Sequence, residues 1–129
     1  MSEEVLTKEI AEQFIADEYS VDLYEFTKLD DDAAEILSTS DLDTLPLDGL
    51  TELSDAGAES LSKYVGILEL NGLTELSDAA AESLSKHDGT LELIGLYELS
   101  EAAAKSLAKI DPDKIFLPEE LEELVAKYR

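Results

Sequence analysis

Gly72-Leu73-Thr74-Glu75-Leu76-Ser77-Asp78-Ala79-Ala80-Ala81-Glu82-Ser83-Leu84-Ser85-Lys86 decides the fold of this chain, because it occurs almost three times. Residues Gly49 to Lys63 repeat it with one change, Gly57 for Ala80, and Gly95 to Lys109 form a weaker copy. Successive copies start 23 residues apart, Gly49 to Gly72 to Gly95. A period of this size marks stacked supersecondary units, none of which can bury its apolar face alone.

The hydrophobic period changes within each unit. Leu68-Glu69-Leu70 alternates as a short strand does, whereas Leu76, Ala80, Ala81 and Leu84 have helical spacing. Ser77 is a natural N-cap, and Asp78 suits the positive end of the helix dipole. Glu82 and Lys86 stand i,i+4 on the outward face. The segment His87-Asp88-Gly89 reads as a turn that stops the helix. Alignment predicts equivalent strands at Val21-Asp22-Leu23, Leu45-Pro46-Leu47, Leu91-Glu92-Leu93 and Ile115-Phe116-Leu117. Leu6 to Phe14 matches the helical half alone and lacks a strand.

The pattern Leu68-x-Leu70-x-x-Leu73-x-x-Leu76-Ser77-Asp78-x-Ala80, followed by Leu84, resembles the cysteine-containing type of leucine-rich repeat, in a bacterial-like variant. The resemblance covers most of residues 21–117. It implies an α/β fold: a short right-handed solenoid with a parallel concave sheet, helices on the outer face and helical caps. Leu50, Leu73 and Leu96 stand where that family has Asn or Cys, which satisfy backbone groups in the bend. Leucine cannot do so, so these bends must close through backbone bonds or water. Gly49, Gly72 and Gly95 are expected to permit a tighter turn there. Asp88 replaces the early leucine in one unit.

These readings predict one domain over residues 1–129. A helical cap spans 1–20, with its helix over 2–19. About four to five repeat strands with their helices fill 21–117, and a capping helix spans 118–129. Pro118 suits its first turn, and Leu121, Leu124, Val125 and Tyr128 form its apolar stripe. A nearly identical pair of units is also what duplication or a consensus-derived repeat would leave; the irregular ends and shifted spacings favour a natural chain.

The chain has 32 acidic and 9 basic residues, a formal charge of −23, and no cysteine. Disulfides and thiolate metal sites are therefore excluded. A basic nucleic-acid footprint is absent, and phosphates or anionic membranes would be repelled. The acidic N-terminus lacks a signal-peptide pattern, and no stretch reaches the ~20 apolar residues that span a bilayer. The expectation is a soluble, cytoplasmic protein that attracts basic partners.

Side chains alternate along a strand, so three outward columns can be written. They are Ser20, Thr44, Ile67, Thr90, Lys114; Asp22, Pro46, Glu69, Glu92, Phe116; and Tyr24, Asp48, Asn71, Ile94, Pro118. Candidate protein-binding residues are Tyr24, Ile67, Glu69, Asn71, Glu92, Ile94, Phe116 and, in place of Thr51 and Thr74, Tyr97. The alternative is that caps cover Tyr24 and Phe116, with Ile94 and Tyr97 merely isolated surface hydrophobes. Asp30-Asp31-Asp32 suits a helix start, Asp41, Asp43 and Asp48 do not match a calcium loop, and Asp111 and Asp113 flank Pro112 in a turn. The single histidine, His87, has no orienting partner in view, and Ser54, Ser77 and Ser100 repeat as caps rather than nucleophiles. No catalytic residue, cofactor or metal is expected, and the chain does not read as an enzyme. It reads as a protein-protein interaction module, binding a partner with a basic patch through the concave strand face. The alternative is an acidic nucleic-acid mimic that inhibits a DNA- or RNA-binding protein. Adaptation to high salt would also account for the acid, and incompletely capped ends leave self-association open.

Overall fold

The computed structural model describes residues 4–129. The expected start of the N-terminal cap, Met1-Ser2-Glu3, lies outside the described residues. Twelve elements alternate: β1 (Val5–Leu6), α1 (Lys8–Ala16), β2 (Lys28–Leu29), α2 (Asp31–Leu37), β3 (Thr44–Pro46), α3 (Asp55–Leu61), β4 (Val65–Glu69), α4 (Asp78–Leu84), β5 (Asp88–Glu92), α5 (Glu101–Leu107), β6 (Ile115–Phe116) and α6 (Glu119–Ala126). The fold is α/β. A four-stranded parallel sheet runs β3-β4-β5-β6 in chain order, and β1 and β2 form a separate parallel pair. From α1 to α6, each helix packs on the next in sequence.

Each seven-residue helix of the repeated blocks begins with a serine cap. Ser54, Ser77 and Ser100 accept the N–H of Gly57, Ala80 and Ala103 at 2.9, 3.0 and 3.0 Å. Helices this short are not stable alone, so packing must hold them. Their buried faces repeat as Gly57, Ala58, Leu61; Ala80, Ala81, Leu84; and Ala103, Ala104, Leu107. Small residues let neighbouring helices approach, while the leucine reaches into the core. A further bond links each cap to the helix before it. Ser54 Oγ donates to Asp31 at 2.6 Å, Ser77 Oγ to Asp55 at 2.5 Å, and Ser100 Oγ to Asp78. The aspartates thus serve the dipole of their own helix and the hydroxyl of the next.

Between sheet and helices the leucines stack in files: Leu45, Leu68, Leu91, Ile115; Leu47, Leu70, Leu93, Leu117; and Leu50, Leu73, Leu96, all buried. Burying a leucine contributes roughly 1.5–3 kcal/mol, so these files dominate the packing. The bends close through backbone alone, as Leu50, Leu73 and Leu96 donate to the carbonyls of Leu47, Leu70 and Leu93 at 3.1, 3.2 and 3.2 Å.

Several expectations are corrected. Val21-Asp22-Leu23 is not a strand. Asp22 instead accepts the Tyr24 N–H at 3.0 Å and starts a 3-10 turn over Leu23–Glu25. A local aspartate bond outcompetes the ladder there. Leu6 does have strand partners, but in a different ladder: Val5 and Leu6 pair with Lys28 and Leu29 at the helix-start side of the unit. The N-terminal helix is Lys8–Ala16 only, ending where Asp17 caps a second 3-10 turn over Glu18–Ser20. Asp88 and Gly89 are not a turn; they lengthen β5, opposite Val65 and Gly66 of β4. Gly89 has φ +134°, and a Cβ there would lie 2.1 Å from the Gly66 carbonyl oxygen, so the backbone path requires glycine. Gly72 does not serve turn conformation either. A Cβ on it would lie 2.1 Å from the Asp48 carbonyl oxygen of the preceding unit. Close stacking of successive bends is what excludes a side chain. Glu82 and Lys86 form no ion pair, since α4 ends at Leu84; the i,i+4 pair that forms is Glu101–Lys105, 3.5 Å.

Candidate interaction surface on the outward sheet face

The strand register aligns the outward columns. Thr44 faces Ile67 and Ile67 faces Thr90, while Pro46, Glu69, Glu92 and Phe116 follow one another across all four strands. Two residues past the strand ends, Asp48, Asn71 and Ile94 are stitched together. The Asn71 N–H donates to Asp48 Oδ1 at 2.9 Å, and Asn71 Oδ1 accepts the Ile94 N–H at 3.0 Å. Asn71 Nδ2 donates to Glu92 Oε1 at 3.0 Å. Asn71 is therefore a staple between units rather than a free recognition group.

The carboxylates on this face are crowded. Partial burial, then the charges of Asp48 and Glu92, push the Glu69 carboxyl above its ordinary range, helped by a hydrogen bond with Asp48. Partial desolvation, then Glu69, Asp48, Asp22 and Glu92, likewise raise the Tyr24 phenol. A region of negative potential thus spans β3 to β5. Beside it stand Ile94 and Phe116, 56% and 47% exposed, whereas Ile67 is half-buried between its neighbours. The face places Glu69, Glu92, Asn71, Ile94 and Phe116 together. Tyr24 flanks the first strand from its 3-10 turn. Tyr97 lies apart in the bend, where its N–H donates to the Thr74 carbonyl at 2.7 Å. It continues the file of exposed Thr51 and Thr74, next to exposed Glu52, Glu75 and Glu98.

His87 is not on any surface. It is buried, its ring stacked on the fully buried Tyr64 at 6.2 Å and 11°. Nε2 lies 3.0 Å from the Gly66 carbonyl oxygen and 3.2 Å from that of Thr90, so it carries the proton; Nδ1 has no partner. Tyr64 donates to the Leu42 carbonyl at 2.7 Å, and burial, then Asp43, push its phenol up to about 12. These two rings fill a core file that ends in Ile110, the equivalent position of the next unit. Nothing in the turn-like sequence around His87 signalled this; its alignment with Tyr64 was the available clue.

Sequence reasoning missed a second region. A cleft of about 450 Å³ opens where the C-terminus of α1 meets the segment before β3, lined by Phe14, Tyr19, Asp41 and Leu42 among others. Tyr19 is 92% exposed at its rim. Among the described residues, no cluster of acidic or histidine side chains is arranged to hold a metal ion, and no helix is long and apolar enough to cross a membrane. Comparison with protein families, curated proteins and solved structures finds no match to this chain.

Proposed function

We propose that this chain is a short right-handed leucine-rich-repeat solenoid that binds another protein, one bearing a basic patch, through the outward face of its parallel sheet. One observation carries the reading: carboxylates of Asp48, Glu69 and Glu92 crowd together beside exposed Ile94 and Phe116. Crowded like charges raise the energy of the unbound face, and a cation relieves it. The adjacent apolar groups supply area that needs to leave water. The partner docks lysines or arginines on the acids and an apolar side chain between Ile94 and Phe116. Catalysis has no support in this arrangement, because the one imidazole is committed to the core.

Mimicry of nucleic acid is the weaker reading. The regular file Asp31, Asp55, Asp78 accepts serine hydroxyls from the next unit, which suits a scaffold. The test is to isolate the partner from the native host and titrate it against the chain at several salt concentrations. Binding that weakens with salt and drops about tenfold in Ile94→Ala, near 1.4 kcal/mol, supports the reading. Binding indifferent to salt and to Ile94 refutes it, and competition by DNA would favour mimicry.

A further inference from the structure

Helix α1 ends differently from the helices that follow it. At the ends of α2 to α5 the chain stays in helical conformation for one more residue, and three successive N–H groups close the last turn. After α3, for example, Ser62, Lys63 and Tyr64 donate to the carbonyls of Ala58, Ser60 and Leu61 at 2.9, 3.1 and 3.0 Å. After α1 the chain swings out at Asp17, with φ −154° and ψ 99°. The N–H groups that would continue the helix turn to Asp17 instead. Tyr19 donates to its Oδ1 and Ser20 to its carbonyl, both at 3.1 Å. As at Asp22, a local aspartate bond displaces the regular pattern. The carbonyls of Ile15 and Ala16 lose those donors, and a helix directs its last carbonyls out of its C-terminal end.

The cleft of about 450 Å³ opens at this end of α1. That volume lies within the range of small-molecule sites, roughly 300–1,000 Å³. Phe14, Ile15, Tyr19 and Leu42 give it apolar and aromatic walls, and Ile15 and Tyr19 are exposed. Asp17, Glu18 and Asp41 give it carboxylates, and no lysine or arginine lines it. Thr39 also lines it, and its hydroxyl proton is committed to the Ile36 carbonyl at 2.6 Å, which leaves an acceptor. The negative end of the α1 dipole has the same sign, because no basic residue stands in its last turn. Helix end, carboxylates, hydroxyl and ring agree on one chemistry. A primary ammonium carries three donors and no acceptor, and aromatic faces attract it.

We propose that this cleft binds a small primary amine with an aromatic or branched apolar body. The body lies against Phe14, Ile15 and Leu42. The ammonium, beside the Tyr19 ring, donates to the carbonyls at the end of α1 and to the carboxylates. The ligand thereby supplies the closing donors that Asp17 withdraws from the helix. This site shares with the sheet face only the sign of its charge.

The probe is phenethylammonium, titrated into the full chain at about 150 mM salt, which screens bare charge attraction, and followed by amide NMR. Expected are saturable shifts centred on residues 14–19 and 39–42. Neutral 2-phenylethanol and ring-free ethylammonium should each bind about tenfold more weakly. Glu18→Gln with Asp41→Asn should weaken the amine about tenfold, and Tyr19→Ala about threefold; none of the three side chains is buried, so the fold tolerates both changes. Glu119→Gln with Glu120→Gln, which removes two charges from the far end of the chain, should leave binding unchanged. The proposal is overturned by equal binding of 2-phenylethanol or of ethylammonium, by full binding to the Glu18 and Asp41 variant, by shifts spread evenly over the acidic surface, or by the absence of any shift. Tighter binding of an acetylated, amidated lysine than of phenethylammonium would overturn it in favour of a lysine of a partner protein. Shifts centred on Glu69, Glu92 and Ile94 would overturn it while leaving the sheet-face reading intact.

Discussion

Alkaline unfolding should isolate a single side chain, Tyr64. Its ring is fully buried, its hydroxyl donates to the Leu42 carbonyl at 2.7 Å, and its phenol is raised from 10.0 to about 12. Burial in the core, and secondarily the Asp43 carboxylate, disfavour the phenolate. In the unfolded chain the phenol titrates near 10, so between about pH 10 and 12 the unfolded state has lost a proton that the folded state keeps. Stability therefore falls as pH rises through that window and is unaffected by this group below it. With about 1.4 kcal/mol per unit, the loss is roughly 1.4 kcal/mol at pH 11 and approaches roughly 2.7 kcal/mol above pH 12. Tyr64→Phe removes the titration and, at neutral pH, costs about 1 kcal/mol for the lost bond and the unpaired Leu42 carbonyl. The advantage of the native chain should thus shrink with pH and reverse near pH 11. Urea unfolding followed by far-ultraviolet circular dichroism, for both proteins between pH 7 and 12, reads the difference. Effects common to both, such as loss of lysine charge from a chain of net charge −23, cancel in it. A difference that stays constant across the range would refute the assignment of the raised phenol to Tyr64 and of its cause to burial.

Gly89→Ala should destabilise by about 3 kcal/mol or more in thermal or urea unfolding, combining a φ of +134° with a Cβ driven against the Gly66 carbonyl; a cost below about 1 kcal/mol would disprove the close approach of β4 and β5. Asn71→Ala removes side-chain bonds to Ile94 N–H and Glu92, so roughly 1–3 kcal/mol should be lost, and amide exchange at Ile94 should accelerate; unchanged exchange would contradict the staple. Glu69→Gln should raise the melting temperature at neutral pH, because a carboxyl raised in the folded state opposes folding once ionised, and the gain should vanish at acid pH where both side chains are neutral. A gain that persisted in acid would show that charge crowding is not the cause.

The repeated blocks made the main architecture readable because each residue type answered one local question. Serine before a helical period marks a cap, and the leucines at alternating positions mark the buried side of a strand; both appear where the period changes. Outward columns followed directly, since alternation leaves no choice of face once the core leucines are placed. The weakest reading fell where copies diverge. Val21-Asp22-Leu23 has the apolar alternation of a strand, but Asp22 bonds its own neighbour instead of waiting for a ladder. Among the candidate residues, Glu69, Glu92, Asn71, Ile94 and Phe116 do share a face. Tyr97 could not be separated from them by sequence, because whether a bend file turns toward the sheet depends on packing between units.

Sequence alone determined the period, the caps, the leucine files and the sign of the surface charge, all of which depend on residues close in the chain or on simple counting. Only the tertiary structure decided why Gly72 and Gly89 leave no room for a side chain. Gly72 and Gly89 are held by carbonyl oxygens of the preceding unit, 24 and 23 residues away in sequence. It also placed His87 in the core against Tyr64 rather than in a turn. Each of these depends on how closely one unit stacks on the next, a distance of a few ångströms that no local pattern specifies.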